Sequence, residues 1–396
     1  MFTVLVFIIV LGILVFAHEL GHFFVARRSG VEVEEFGFGF PPRIFGFYRN
    51  KKRERKFVWG SREIDEIREA RKIGEETTVY SVNWIPLGGF VKITGEDGEK
   101  KSNPNSFAAK TPWTRIRILA AGVIMNFILA MALFSLAFFI GVPQVIDAGA
   151  GGKTKNQKIQ VMEVAKSSPA ETMGIKMGDE LAGGKDSVSG EIIMFQNLEE
   201  VQSFINDRKG QEIKLEIKRG SEPLELVGTP RTDSPGGEGA LGISYVETAQ
   251  VSYPWYRAIY EGVTYAFRVA WLIISTFAMI IWRLIVRQPA GLDVSGPVGI
   301  AVLTGQVAKL GFVYILQFTA MLSINLAIIN AFPIPALDGG RILFILIEKI
   351  KGSPVSQRFE QRAHSIGFAL LITLMIFVTA RDLMRLDLIE KIKTIF

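Results

Sequence analysis

The sequence predicts a mainly α membrane protein: about four transmembrane helices, a β-rich membrane-associated segment on the cytoplasmic side, and one α+β domain on the opposite side. Three observations predict it. Hydrophobic residues make up 49% of the 396 and the mean hydropathy is +0.29, between a soluble enzyme and a wholly embedded chain. Charge comes in blocks, with none in the first 17 residues and six bases against one acid in "RNKKRERK", residues 49–56. Long apolar runs alternate with stretches of soluble composition.

Crossing a bilayer takes about 20 mainly apolar residues. Four segments qualify: residues 2–26, 118–146, 312–338 and 363–380. The first lacks a basic n-region and an A-x-A site, and it continues through Phe23, Phe24 and Val25. That pattern fits a retained helix rather than a cleaved signal peptide. A fifth apolar run, residues 269–282, is bounded by Arg268 and Arg283 and carries Trp271 and Trp282. Its length and its tryptophans suit an interfacial or re-entrant segment.

Loop charge sets the orientation. Arg27, Arg28 and the cluster at 49–56 follow the first span. Arg115 and Arg117 precede the second, and Lys349, Lys351, Arg358 and Arg362 lie between the third and fourth. All three sets are cytoplasmic if the N-terminus is outside, although Arg381, Arg385, Lys391 and Lys393 in the tail count against this. The expected location is the inner or plasma membrane, multi-pass, with the lipid bilayer as a partner. The net charge of +6 is modest and clustered in loops, so no nucleic-acid partner is expected. With no cysteine in the chain, disulfides, Cys-ligated zinc and a thiol nucleophile are excluded.

The expected organisation is a first span (1–26), a cytoplasmic β-rich loop (27–112), a second span (113–146), a soluble domain (147–250), an interfacial region (251–311), a third span (312–348), a cytoplasmic loop (349–362) and a fourth span with its tail (363–396). In the first loop "VEVEEFGFGFPPRIFGFY" and "TTVYSVNWIPLGGFVKITGED" alternate like strands, and the charged insertion at 62–76 between them reads as a solvated helix or loop. In the soluble domain "SSPAETMGIKMGDEL" reads as a turn, a short helix and a second turn. "LEEVQSFINDRKG" then gives an amphipathic helix, and "KLEIKRG" with "PLELVG" a hairpin around Gly220 and Ser221. The "SPAExxGxKxGDxL" pattern resembles a PDZ domain of the bacterial protease type.

Chemistry enters at "HELGH". His18 and His22 are four residues apart, so both imidazoles lie on one helix face and reach one ion. Glu19 falls beside that ion, where a carboxylate can take a proton from water. Zinc suits two imidazoles, an oxygen ligand and an open position. Burying two His and a Glu at the end of a membrane helix is expensive, and such groups are presumed functional. For the third ligand Asp338 is the better candidate, since it ends the long uncharged run "NLAIINAFPIPALDGGR". A pair with Arg341, or a helix cap, is the bland reading. His364 reads as an interfacial residue. Pro333 and Pro335 break the third span before Asp338, and Gly339 and Gly340 are expected to loosen it after. Broken backbone at membrane depth implies a hydrated pocket. Asn325 and Asn330 lie on its approach with amides suited to substrate backbone, and interhelical bonding is the other reading for Asn325. For Asp338 to reach the depth of His18 and His22, the third span must enter from outside, which requires that residues 269–282 not cross.

"HELGH", "NAFPIPALDGG" and "GVIMNF" (residues 122–127) together resemble the site-2 protease family, in particular its bacterial branch that cleaves anti-sigma factors. "NWIPLGGFVKITGED" is similar to that family's membrane-associated β segment. The resemblance covers nearly the whole chain. It implies one Zn2+ ion bound by His18, His22 and Asp338, with Glu19 as general base. Asn126 would assist the reacting carbonyl, though Val123 stands where many relatives have proline. Asn330 and Pro333 would help hold substrate. The substrate would be a single-span membrane protein, and the PDZ-like domain, a single copy where the best-known enterobacterial relatives carry two, would take a C-terminal peptide or filter by ectodomain size. Two other functions compete: a membrane-anchored scaffold with a structural metal, and an anchored zinc peptidase that cuts soluble peptides.

Overall fold

The computed structural model describes residues 2–49, 54–60, 67, 77–96, 102–145, 153–186, 192–220, 222–233, 239–288, 296–353 and 355–385. The chain divides into two compact units, Met1–Ser135 with Glu261–Phe396, and Leu136–Tyr260.

The first unit begins with helix α1, Phe2–Arg28, two residues longer than the apolar run that predicts it. Strands β1 (Val33–Arg49), β2 (Arg55–Trp59) and β3 (Val79–Ile93) form an antiparallel sheet in the order β2-β1-β3. The alternation read in both halves of the first loop is therefore strand. The sheet rests on α1 through Phe23, Val33, Phe36 and Ile93, with Phe23 stacked on Phe36 at 4.5 Å. Of the charged insertion only Ile67 lies among the described residues, and it is buried with Tyr48, Val58 and Val79. The rest lies outside the described residues.

Helix α2 spans Pro112–Ile140. Pro112 suits a first helical position because its missing N–H would have had no partner there, and Thr111 Oγ1 accepts from Thr114 N at 3.4 Å. The expected continuation to residue 146 is wrong. Gly141 takes φ +126°, and Val142–Val145 leave the helix as strand β4 to pair with a later strand.

In the second unit β4 joins β5 (Lys153–Val164), β6 (Glu180–Asp186), β7 (Ile192–Met194), β8 (Ile213–Arg219), β9 (Glu222–Gly228) and β10 (Ile243–Ser252). The sheet runs β4-β10-β5-β6-β8-β9, with β7 on β6. Short helix α3 (Pro169–Met173) is capped by Ser168, whose side chain accepts from Glu171 N, and closed by Gly174 at φ +83°. Helix α4 (Leu198–Asp207) buries Val201, Phe204 and Ile205 against Val161, Leu181, Ile213, Leu215 and Ile217. The turn-helix-turn, the amphipathic helix and the hairpin at Gly220 all appear where the sequence puts them.

The largest departure follows. Residues 269–282 are the middle of one continuous helix, α5, Trp255–Ile285. Arg268 lies inside it and ends nothing, since one cation leaves the surrounding window apolar. The chain thus holds five described helices long and apolar enough to cross a membrane, where the sequence reading counts four. Helix α5 runs antiparallel to α2. Gly262 lies against Ser135, and Tyr265 and Phe267 meet Phe134 and Phe127 at 4.9 and 5.0 Å.

Helix α6 (Pro297–Leu310) sets Gly305 against Thr3, at the start of α1. Helix α7 (Phe312–Ala331) then begins after one glycine, so it starts beside the N-terminal end of α1 and runs toward the C-terminal end. The depth that Asp338 needs is reached this way, without α5 having to lie flat. After the break at 332–337, α8 spans Asp338–Lys351 and α9 Gln357–Arg385. Gly339 and Gly340 do not loosen the chain. Both are buried in the first turn of α8, where a Cβ would strike the backbone of Ala331 and Phe332 or of Ile334 and Pro335. They let the turn fold tightly onto the helix.

Candidate metal centre

Helix α1 brings His18 and His22 to one face, at 8% and 6% exposure. Helix α8 brings Asp338 as its first residue. Three distances define the cluster: His18 Nε2 to Asp338 Oδ2 3.1 Å, His22 Nε2 to Asp338 Oδ2 3.4 Å, and His18 Nε2 to His22 Nε2 3.2 Å. Ligands at about 2.0–2.1 Å around a tetrahedral ion lie about 3.3 Å from one another. The cluster has the edges of such a tetrahedron, with the fourth corner left over.

Two further observations fit a cation. Asp338 Oδ2 is buried and accepts no hydrogen bond, an expensive state for a lone carboxylate oxygen. His22 Nδ1 donates to the carbonyl of Ile118 at 2.8 Å, which leaves the Nε2 lone pair facing the cluster, the usual outer-shell arrangement for a ligating histidine. Neither bland reading of Asp338 holds. Arg341 pairs with Glu96, and the residue capping α8 is Leu337.

Helix α2 supplies the floor. A Cβ at Gly122 would collide with both imidazole rings, so only glycine lets α2 approach this closely. One turn on, Asn126 is fully buried, with its amide 3.4 Å from His18 Nδ1. The amide atom that meets His18 Nδ1 is Asn126 Nδ2, and the amide oxygen is buried with no hydrogen-bond partner among the described residues. Ser323 of α7 donates to the carbonyl of Asn126 at 2.7 Å, tying α7 to the same floor.

The other expected residues stand apart. Glu19 is half-buried on α1 and feels the charges of His22, His18, Glu96 and Asp338. Asn325 donates to Met321 O of its own helix at 3.1 Å. Asn330 is half-buried and Pro333 exposed, and neither joins the cluster. His364 is no free interfacial residue. Its Nδ1 accepts from Ala336 N at 2.8 Å, and Ala336 holds φ +82° two residues before Asp338. Sequence reading missed this contact, along with the Ile118 carbonyl and Ser323, because all three depend on which helices become neighbours.

Comparison with known proteins agrees with this geometry. The model of "Peptidase family M50" matches residues 6–58 and 68–374. The chain belongs to peptidase family M50. A Clostridium perfringens protein predicted to be a zinc metalloprotease is 35% identical over 372 residues, covering 93% of this chain and 95% of its own length. The regulator of sigma-E protease of Escherichia coli is 30% identical over 466 aligned positions, with 96% and 98% covered. The regulator of sigma-W protease of Bacillus subtilis is 29% identical over 469, with 98% and 99% covered. The M50 chain described here is therefore a metalloendopeptidase of the site-2 protease type, a membrane protein that hydrolyses peptide bonds within the bilayer.

Proposed function

We propose that His18, His22 and Asp338 hold one zinc ion and that Glu19 is the general base. The supporting observation is the convergence of two Nε2 atoms and an otherwise unbonded carboxylate oxygen on a single point. Zinc, when bound, supplies the Lewis acidity that makes water nucleophilic near neutral pH. Glu19 takes the proton of the attacking water and delivers it to the amide nitrogen as the C–N bond breaks. Asn126 orients His18 and lies close enough to the cluster to donate to the developing oxyanion. The apolar walls of α1 and α7 limit access to bulk water.

The substrate in this reading is a single-span membrane protein of the anti-sigma-factor type, by analogy with the sigma regulators among the relatives. Its helix must unwind, because helical backbone has no free carbonyl to offer. The later part of strand β3, residues 89–93, pairs on one side only and packs on α1 beside Val15 and Phe16, close to the histidines. An unwound segment added to that edge would be held extended for attack. Asn330 and Pro333 border the same approach. The domain at 147–250 is a PDZ-like filter for ectodomain size or a C-terminal peptide. The N-terminus and this domain face outward from the inner or plasma membrane, with the metal near the cytoplasmic side.

The test is zinc analysis together with cleavage of a model transmembrane substrate by the wild type, Glu19→Gln and Asp338→Asn. Glu19→Gln should keep zinc and lose cleavage, and full activity in that variant would sink the reading. Cleavage of soluble peptides alone would favour an anchored peptidase instead.

A further inference from the structure

We propose that Arg27, Arg49 and Arg55 bind the phosphate group of an anionic phospholipid. A cavity of about 420 Å³ lies at the C-terminal end of α1, lined by these three arginines with Phe47, Thr78 and Tyr80. Three guanidinium groups and two hydroxyls line it, and no carboxylate is among its described lining residues. Arg27 is held in place by Tyr80, to whose hydroxyl it donates at 3.0 Å, and by the ring of Phe23 at 5.6 Å.

The pairing of β1 with β2 sharpens the case. Arg49 stands directly opposite Arg55, and like charges in that position destabilise a hairpin. Neither arginine side chain has an ion pair or hydrogen bond with a described residue. An anion between them converts the repulsion into a bridged pair, and the guanidinium fork suits phosphate oxygens.

The height of the site selects a lipid over a soluble anion. Arg27 lies in the last turn of an apolar helix long enough to cross a membrane. The next cross-strand pairs on the same face of the sheet are Phe47–Phe57 and Phe45–Trp59. Phe57 and Trp59 are 67% and 74% exposed, the kind of side chain that settles at headgroup level. Free phosphate would use the charges and leave these rings in water. A phospholipid uses both, with its acyl chains against the aromatics.

The experiment uses the full chain in mixed micelles of phosphatidylcholine and phosphatidylglycerol, with bound lipid counted by mass spectrometry. The wild type should enrich phosphatidylglycerol. Arg49→Gln/Arg55→Gln should weaken that binding about 30-fold, as expected for two cations lost near an anionic surface. Both residues are exposed and their mutual repulsion is removed, so the variant should melt no lower than the wild type. Lys209→Gln/Lys214→Gln, in the other unit, should change nothing. Undiminished enrichment in the arginine variant would overturn the site. Displacement by inorganic phosphate as effective as by short-chain phosphatidylglycerol would overturn the lipid as its ligand.

Discussion

Each unit holds an aspartate with a buried carboxylate oxygen, and the two are treated in opposite ways. Asp179, 1% exposed, accepts from Arg219 Nε and Nη2 at 2.8 Å each and from Lys176 N at 2.8 Å. Both of its oxygens are bonded, and the result is a structural joint between the start of β6 and β8. Asp338 points one oxygen at two imidazole nitrogens and hydrogen-bonds nothing with it. A fold keeps so costly an atom only where something else supplies the missing partner. Satisfaction, not burial, separates the structural carboxylate from the functional one.

The largest effects should come from breaking the unsatisfied side. Asp338→Asn should reduce bound zinc and cleavage to background. The metal-free protein should melt at the same or a higher temperature than metal-free wild type, because the substitution removes a buried charge. Glu19→Gln should retain zinc and lose about 10²–10⁴-fold in rate, the range for a lost general base. Metal analysis, single-turnover cleavage and thermal melting read these outcomes. A clear fall in apo stability for Asp338→Asn would mean that Asp338 is structural like Asp179.

Gly122→Ala should come next. The added methyl would drive into both imidazoles, and displacement of reacting groups by about 1 Å costs about 10²-fold. Gly262→Ala, which meets Ser135 far from the cluster, is the control. It should cost stability without altering zinc affinity, and equal zinc loss in the two variants would contradict the assigned role of Gly122.

This pair shows what the sequence could and could not reveal. The metal cluster was legible because three polar side chains stand in otherwise apolar runs, and helical spacing fixes two of them on one face. The soluble unit was legible because alternation and turn residues are local signals. Helix α5 was misread because Arg268 looked like a boundary, although a helix tolerates one exposed cation. Gly122 was visible only as part of a motif, and its reason, the approach of α2 to α1, is a tertiary fact. Gly339 and Gly340 were misread for the same cause, since glycine reads as flexible until its neighbours are known.

On the satisfied side, Asp179→Ala should lower stability by about 2–3 kcal/mol. That is less than the about 3–5 of a fully buried pair, because Arg219 is 35% exposed and is rehydrated in part. Zinc content should be unchanged, and denaturant unfolding followed in the soluble unit measures the loss. A matching loss of zinc would mean that the two aspartates do not report on separate features.

The smallest effect should come from His364, which touches neither metal nor substrate. Its Nδ1 accepts the N–H of Ala336, fixing a left-handed residue in the turn that aims Asp338. Gly367, one turn along α9, lies against the carbonyl of Pro335, so α9 clamps the turn at two points. Outer-shell partners of metal ligands are worth about 10–100-fold in metal affinity, and a contact through the turn should fall near the lower end, about tenfold. His364→Asn keeps an acceptor where Nδ1 stands, whereas His364→Gln carries its oxygen out to the position of Nε2. Chelator competition should therefore find zinc affinity near wild type in His364→Asn and about tenfold weaker in His364→Gln and His364→Ala. A role as mere packing predicts the reverse order for Asn and Gln, since glutamine fills more of the space. Only an acceptor bond to Ala336 makes the shorter side chain the better replacement.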